Sequence, residues 1–207
     1  MANCFRMVWM WLAVVAISGC GGASTTSGAK SLPTAAASDD VQQQVVLQTS
    51  AGDIRLSLDS EKAPLTVENF LNYANANHYD GTVFHRVIAG FMIQGGGFAA
   101  DYMKKPTFDP VANEADNGLK NVRYSIAMAR TPDPQSATAQ FFINVADNRF
   151  LDYTAPTNTG WGYAVFGRVT DGFDVVDQIA ASETGAGGPF GSDVPLQQVI
   201  INSVVLQ

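Results

Sequence analysis

The sequence predicts a mainly β domain, a closed eight-stranded antiparallel barrel capped by two α-helices. Three observations lead there. Eight short apolar or alternating segments, bounded by turn residues, are spread over residues 44–206, and that spacing reads as strands. Two segments carry a helical repeat, and they do not alternate with the strands in a βαβ rhythm. Closing an antiparallel sheet removes its unpaired edges, and two helices would plug the open ends.

The elements follow in order. Residues 44–49 and 53–58 are short strands joined at Ser50-Ala51-Gly52-Asp53, with Gly52 supplying a permissive backbone. In the second, Ile54, Leu56 and Leu58 alternate with Asp53, Arg55 and Ser57, the period of a half-buried strand. Pro64 opens a helix at a position where its missing N–H costs little. Val67, Phe70, Leu71 and Ala74 then fall on one face, and Asn75-Ala76-Asn77 ends it. Strands are predicted over 83–87, 91–94, 124–130, 140–145 and 163–169. A second helix spans about 173–181, with Phe173, Val176, Ile179 and Ala180 as its apolar stripe and Asp174 in its first turn, where the helix dipole favours a negative charge. A last strand covers 198–206. Three long connections, 99–122, 131–139 and 152–160, are candidates for function, because long loops in a small domain tend to carry it. Gly185-Ala186-Gly187-Gly188-Pro189 reads as a turn-rich loop without catalytic content.

Ahead of this domain, residues 1–19 read as an export signal. Arg6 gives a positive start, and Met7–Ile17 is an apolar stretch too short for the ~20 residues of a membrane span. Ile17-Ser18-Gly19-Cys20 resembles the bacterial lipobox, in which the Cys is acylated and becomes the mature N-terminus. Lipid on Cys20 would anchor the protein, since several acyl chains hold where one is marginal. Residues 20–42 are mostly Gly, Ala, Ser and Thr and read as a flexible tether. Gly21 stands where enteric-type sorting would place an Asp for inner-membrane retention, which favours the periplasmic face of an outer membrane.

Residues 43–207 make one domain with a sizeable core. The two cysteines, Cys4 and Cys20, both precede it, which excludes a disulfide, a Cys-based zinc site and a Cys nucleophile within it. The net charge of −7 is spread along the chain and argues against a nucleic-acid partner.

The most informative run is Phe84 to Phe98. It places the permanently charged Arg86 near Phe91 and Met92, with the amide of Gln94 on the same stretch. It contains no nucleophile and no metal cluster. Such a set suits chemistry without bond breaking, in which an apolar ring is held while a fixed cation steers a polar atom. His85 is offset from Arg86 by one residue, so on a strand it points to the opposite face and reads as structural. Two histidines, His78 and His85, make a His-based zinc site improbable. No Gly-x-Ser-x-Gly elbow is present, and Gly95-Gly96-Gly97 lacks the Lys-Ser/Thr of a phosphate loop; close backbone packing explains it better.

Phe84–Phe98 strongly resembles the signature of the cyclophilins, peptidyl-prolyl cis–trans isomerases. The likeness continues through Asn113–Asn121, Ala127–Arg130, Ser136–Asn144 and Gly162–Gly167, and it is greatest to the bacterial, periplasmic-type branch. The resemblance implies a cyclophilin-like barrel and catalysis of X-Pro bond rotation in exported proteins, with Arg86 as the catalytic arginine and Gln94 orienting it. It further implies a proline pocket of Phe91, Met92, Phe142 and Leu151, a peptide-backbone contact at Gln140, and a groove lining at Ala129 and Arg130. Many members carry Asn where Arg130 stands. Phe150 occupies the position of a Trp in cyclosporin-sensitive members, which implies weak cyclosporin binding. Tyr163 stands where many eukaryotic members have a His. The family needs no cofactor or metal, acts on unfolded or extended proline-containing polypeptides, and is usually monomeric. Two other readings use the same residues differently: a binding module that holds one proline-containing partner, and a hollow lipocalin-like barrel for a small apolar ligand. Intact Arg86 and Gln94 favour the enzyme over the first, and bulky inward side chains predict a filled interior against the second.

Overall fold

The computed structural model describes residues 42–207. The signal, Cys20 and all of the tether except Gln42 lie outside the described residues. In chain order the elements are β1 (Gln43–Thr49), β2 (Gly52–Leu58), α1 (Pro64–Asn75), β3 (Thr82–Val83), β4 (Arg86–Ile88), β5 (Met92–Gly95), β6 (Ser125–Met128), β7 (Phe141–Asn144), a short 3₁₀ turn (Arg149–Leu151), β8 (Val165–Asp171), α2 (Phe173–Ala180), β9 (Thr184–Gly187), β10 (Phe190–Pro195) and β11 (Ile200–Leu206).

The expected closed eight-stranded barrel is not what forms. Nine strands make one antiparallel sheet in the order β3-β11-β1-β2-β8-β6-β7-β5-β4. The sheet curls into an open half-barrel whose edges stay 9 Å apart. The reason lies in residues 83–87, predicted as one strand. That segment divides: β3 pairs with β11, β4 pairs with β5, and Phe84-His85 crosses between the two edges outside either ladder, the Phe84 amide donating to the Val199 carbonyl at 3.0 Å. The seam is filled by side chains and loops. Phe84 and His85 are buried, the Val83 amide donates to the Phe98 carbonyl at 2.9 Å, and β9 and β10 form a separate hairpin beside β4. That hairpin replaces the expected featureless loop. It protects an edge that would otherwise expose unpaired backbone groups. The curl itself follows from strand twist and from register breaks at Gln48/Thr49, Arg55/Leu56 and Ile126/Ala127, where bulges bend a sheet.

Both helices form where the repeats place them. Pro64 sits in the first turn of α1, and Val67, Phe70, Tyr73 and Ala74 are buried. The free amides of that first turn are satisfied from a distance: Glu114, in the long 99–122 connection, accepts from the Leu65 and Thr66 N–H groups at 3.1 and 2.8 Å and from the Thr66 hydroxyl at 2.6 Å. This is the N-terminal end where a carboxylate is most favourable. In α2, Val176, Ile179 and Ala180 are buried, while Phe173 stays near the surface against Tyr124, ring centroids 4.8 Å apart.

The sheet separates two apolar clusters. Its concave face carries Leu47, Ile54, Leu56, Ile93, Ile126, Phe141 and Ile143 onto Phe70, Phe166 and Ile179, with the main core filled by bulky side chains. The opposite face carries a smaller cluster of Met92, Ala127, Phe142 and Val165, flanked by Phe91, Ala129, Leu151 and Tyr163.

Candidate active site

Strand register builds the site on that second face. Arg86 lies opposite Gln94, Gln94 opposite Phe142, and Phe142 opposite Ala127. Directly opposed residues of antiparallel strands share a face, so one guanidinium, one amide and one ring stand in a row across β4, β5 and β7. Met92 joins the same face two residues from Gln94. The intervening residues Val87, Ile93 and Ile143 point into the main core.

Arg86, Phe91, Met92, Gln94, Ala129, Arg130, Phe142, Leu151 and Tyr163 together line a notch of about 180 Å³. Six waters fill such a volume at ~30 Å³ each, so a five-membered ring and part of its chain fit. Rings and a thioether form the floor: Phe142 meets Tyr163 edge-on with centroids 5.7 Å apart, and Met92 and Phe142 are almost wholly buried. Gln140 stands beside the notch, accepting from Gln94 Nε2 at 2.9 Å. Phe150 is placed on the outer rim, 74% exposed and stacked on Phe91 at 5.7 Å.

Glycines let these parts approach. A Cβ on Gly97 would lie 2.6 Å from Gln140 Cδ, and one on Gly162, whose φ is +65°, 2.6 Å from the Leu151 carbonyl oxygen. Neither site has room for a side chain.

Two features were not visible in the sequence. The first concerns Arg86, which is half exposed. Its Nε lies 3.8 Å from Asp193 Oδ2, and Asp193 sits on the β9–β10 hairpin with φ at +65°. Among the described residues no hydrogen bond joins Gln94 to Arg86; the glutamine turns to Gln140 instead. The second is a buried amide network behind the Leu151–Tyr163 wall. Asn144 Nδ2 donates to Asn121 Oδ1 and Ser125 Oγ, and Asn148 Nδ2 donates to Asn144 Oδ1 and to the Phe91 carbonyl. Asn121 Nδ2 in turn reaches the Leu151 and Tyr163 carbonyls and Asp152. The signal available for it was the run of short amide side chains at strand ends, which also suits exposed turns.

His85 is buried between Phe98 and Phe190, centroids 4.7 and 5.4 Å away. Its Nδ1 has no hydrogen-bond partner. Burial, with a smaller contribution from the nearby Arg86 charge, pushes its pKa down to about 4. It is therefore a neutral packing group at physiological pH, as its offset from Arg86 implied.

The family comparison agrees with this geometry. Residues 44–206 match the model of the cyclophilin type peptidyl-prolyl cis-trans isomerases. The chain belongs to the cyclophilin family. It is 62% identical over 159 residues to the peptidyl-prolyl cis-trans isomerase cyp18 of Streptomyces antibioticus, covering 77% of this chain and 95% of that one. It is 54% identical over 162 residues to peptidyl-prolyl cis-trans isomerase B of Escherichia coli K12, covering 78% and 98%. A crystal structure of a cyclophilin type isomerase from Cryptosporidium parvum superposes with a TM-score of 0.64 at 26% identity, covering 80% of this chain and 98% of that one. The protein is a peptidyl-prolyl isomerase that binds proline-containing polypeptides and accelerates prolyl bond rotation, thereby assisting folding.

Proposed function

We propose that the notch is the proline site and that Arg86 drives the rotation. A peptide bond resists twisting by ~18–20 kcal/mol because its nitrogen is conjugated, and X-Pro bonds left alone exchange in tens of seconds or longer. In the twisted state the nitrogen is pyramidal and regains a lone pair. A donor aimed at that lone pair binds the twisted state better than either planar one, which is differential transition-state binding. Arg86 is that donor. Its charge is permanent, and it borders an apolar floor of Phe91, Met92, Phe142 and Leu151 that holds the pyrrolidine and strengthens the interaction. Gln94 and Gln140, already paired, hold the peptide backbone, with Ala129, Arg130 and Tyr163 lining the groove. No cofactor or metal takes part.

The observation carrying this reading is the cross-strand row that sets Arg86 and Gln94 beside Phe142 on the notch. Turnover of a short X-Pro peptide tests it. Arg86→Ala should lower kcat/KM by about 10²–10³-fold, the loss seen when one preorganised donor is removed, with the unfolding midpoint unchanged. An unaltered rate in a folded variant would sink the assignment.

Phe150 lacks an N–H donor, so weak cyclosporin binding accompanies this site. The N-terminal residues support a lipid anchor at Cys20 and a 20–42 tether that holds the domain at the periplasmic face of an outer membrane, and the family supports a monomer. Mass spectrometry of the mature N-terminus checks that part: a diacyl- or triacyl-modified Cys20 is expected, and an intact Met1 or an unmodified residue 20 refutes it.

A further inference from the structure

The notch holds two guanidinium groups in different circumstances. Arg86 has a counter-ion in Asp193. Arg130 has none among the described residues, and no carboxylate lines the notch. Asp133, the acidic residue closest to it in sequence, accepts from the Gln135 backbone at 2.9 Å and forms no ion pair with it.

Arg130 is nonetheless held in place. Its Nε donates to the Gly162 carbonyl at 2.8 Å, and its Nη1 donates to the Thr131 and Pro132 carbonyls at 2.9 and 3.4 Å. Its Cζ rests 4.6 Å above the Tyr163 ring, a cation–π contact. Three carbonyls and a ring face thus fix the planar group while adding no neutralising charge. Among the described residues Nη2 has no hydrogen-bond partner, so its two N–H donors are unpaired on a side chain that lines the notch. A long arginine normally loses rotamer freedom when it binds something; here that loss has already occurred.

We propose that Arg130 is a specificity residue that reads a carboxylate side chain next to the substrate proline, so that acidic proline-containing segments are the preferred class. The proposal rests on the notch being the proline site. A fixed guanidinium with two free donors suits a planar carboxylate better than an amide or an ammonium group. The chain's net charge of −7 opposes acidic peptides at long range, so any preference for them arises locally.

The test is a ratio. Matched X-Pro peptides carry Glu or its isostere Gln, in one series just before the proline and in another just after it, and kcat/KM is measured for each. In the wild-type protein the Glu peptide of one series should be favoured by about three- to tenfold, the worth of one charge-assisted hydrogen bond. Arg130→Gln should bring that ratio to one or below. Each ratio is taken on a single preparation, so the fraction folded cancels. The net charge of the variant differs little, so the long-range field is nearly constant. A wild-type ratio of one in both series overturns the proposal, as does a preference that survives Arg130→Gln and so belongs to Arg86. If Arg130→Gln yields no folded protein, the Arg130 Nε–Hε resonance of the wild type decides: a shift on adding the Glu peptide but not the Gln peptide supports the proposal, and equal shifts overturn it. Wild-type turnover of the neutral peptide with Arg86 dependence keeps the proline-site reading intact even where this one fails.

Discussion

The two walls of the notch are held by opposite means. Behind Leu151 and Tyr163, Asn121, Asn144 and Asn148 are buried and bonded to one another and to the wall's own carbonyls. On the Arg86 side, a half-exposed guanidinium faces a half-exposed carboxylate at 3.8 Å across to a two-stranded hairpin. Buried polar networks are stiff and intolerant of partial loss, because each orphaned group keeps its full desolvation cost. Solvent-exposed ion pairs contribute little to stability and tolerate loss. The difference assigns the two walls different vulnerabilities: damage to the first should appear as unfolding, and damage to the second as a change in rate.

The largest expected effect at neutral pH comes from breaking the amide network. Asn144→Ala leaves Asn121 Oδ1 and one N–H of Asn148 Nδ2 unpaired in the interior, the other N–H keeping the Phe91 carbonyl, and should destabilise the domain by about 2–3 kcal/mol, measured by urea unfolding. Asn144→Asp should be almost as damaging, because it buries a charge beside acceptors. If Asn144→Ala costs no more than a surface substitution while turnover falls, the contrast between the walls is misdrawn.

Next is a pH effect of similar size at the seam between the sheet edges, where His85 supports the hairpin through Phe190. Its folded pKa of about 4 lies below the ordinary 6.5 because of burial. Between those values the unfolded chain binds a proton that the folded chain refuses. Stability is therefore fully present above about pH 6.5 and lost as pH falls towards 4, by about 3 kcal/mol in total. His85→Phe keeps an aromatic ring between Phe98 and Phe190 and should flatten that slope, read from unfolding midpoints at neutral and acid pH. Equal slopes in variant and wild type would remove His85 from the account. The Arg86 loss with Arg86→Ala, unaccompanied by a stability change, marks the other side of the same comparison.

How much of this was legible in the sequence follows the same physics. Period-2 and period-3.6 patterns place β1, β2, α1 and α2 well, because burial alone sets them. The row of Arg86, Gln94 and Phe142 was accessible through motif resemblance, and alternation already placed His85 on the far side. The break in closure carries no burial signal, because Phe84 and His85 are as buried as the strands around them; only hydrogen-bond partners reveal that the ladder divides there. The β9–β10 hairpin was hidden by its glycines, which suit a loop equally well. Asn121, Asn144 and Asn148 look like surface residues until the chain brings them together. Asp193 carries no local signal at all, since its role depends on a hairpin packing beside β4.

Asp193 gives the smallest effect, and its substitution shows whether the Arg86 wall depends on the β9–β10 hairpin. Its φ of +65° suits Asp and Asn and is strained for most other residues, so Asp193→Asn changes the charge without disturbing the backbone. Stability should move by no more than about 0.5 kcal/mol. A neutral amide removes the ion pair at 3.8 Å and holds the guanidinium less firmly, so more of the Arg86 population points away from the notch. If Asp193 positions Arg86 for the twisted bond, kcat should fall about two- to fivefold while KM stays level, because an interaction made mainly in the transition state leaves ground-state binding alone. Asp193→Ala should lose more rate, and Asp193→Asn should recover part of it. A change confined to KM would mean that the carboxylate acts on the bound peptide directly. Unchanged constants in both variants would leave the Arg86 wall independent of its hairpin, and the rate-sensitive side of the notch would then reduce to the β4–β5 strand pair alone.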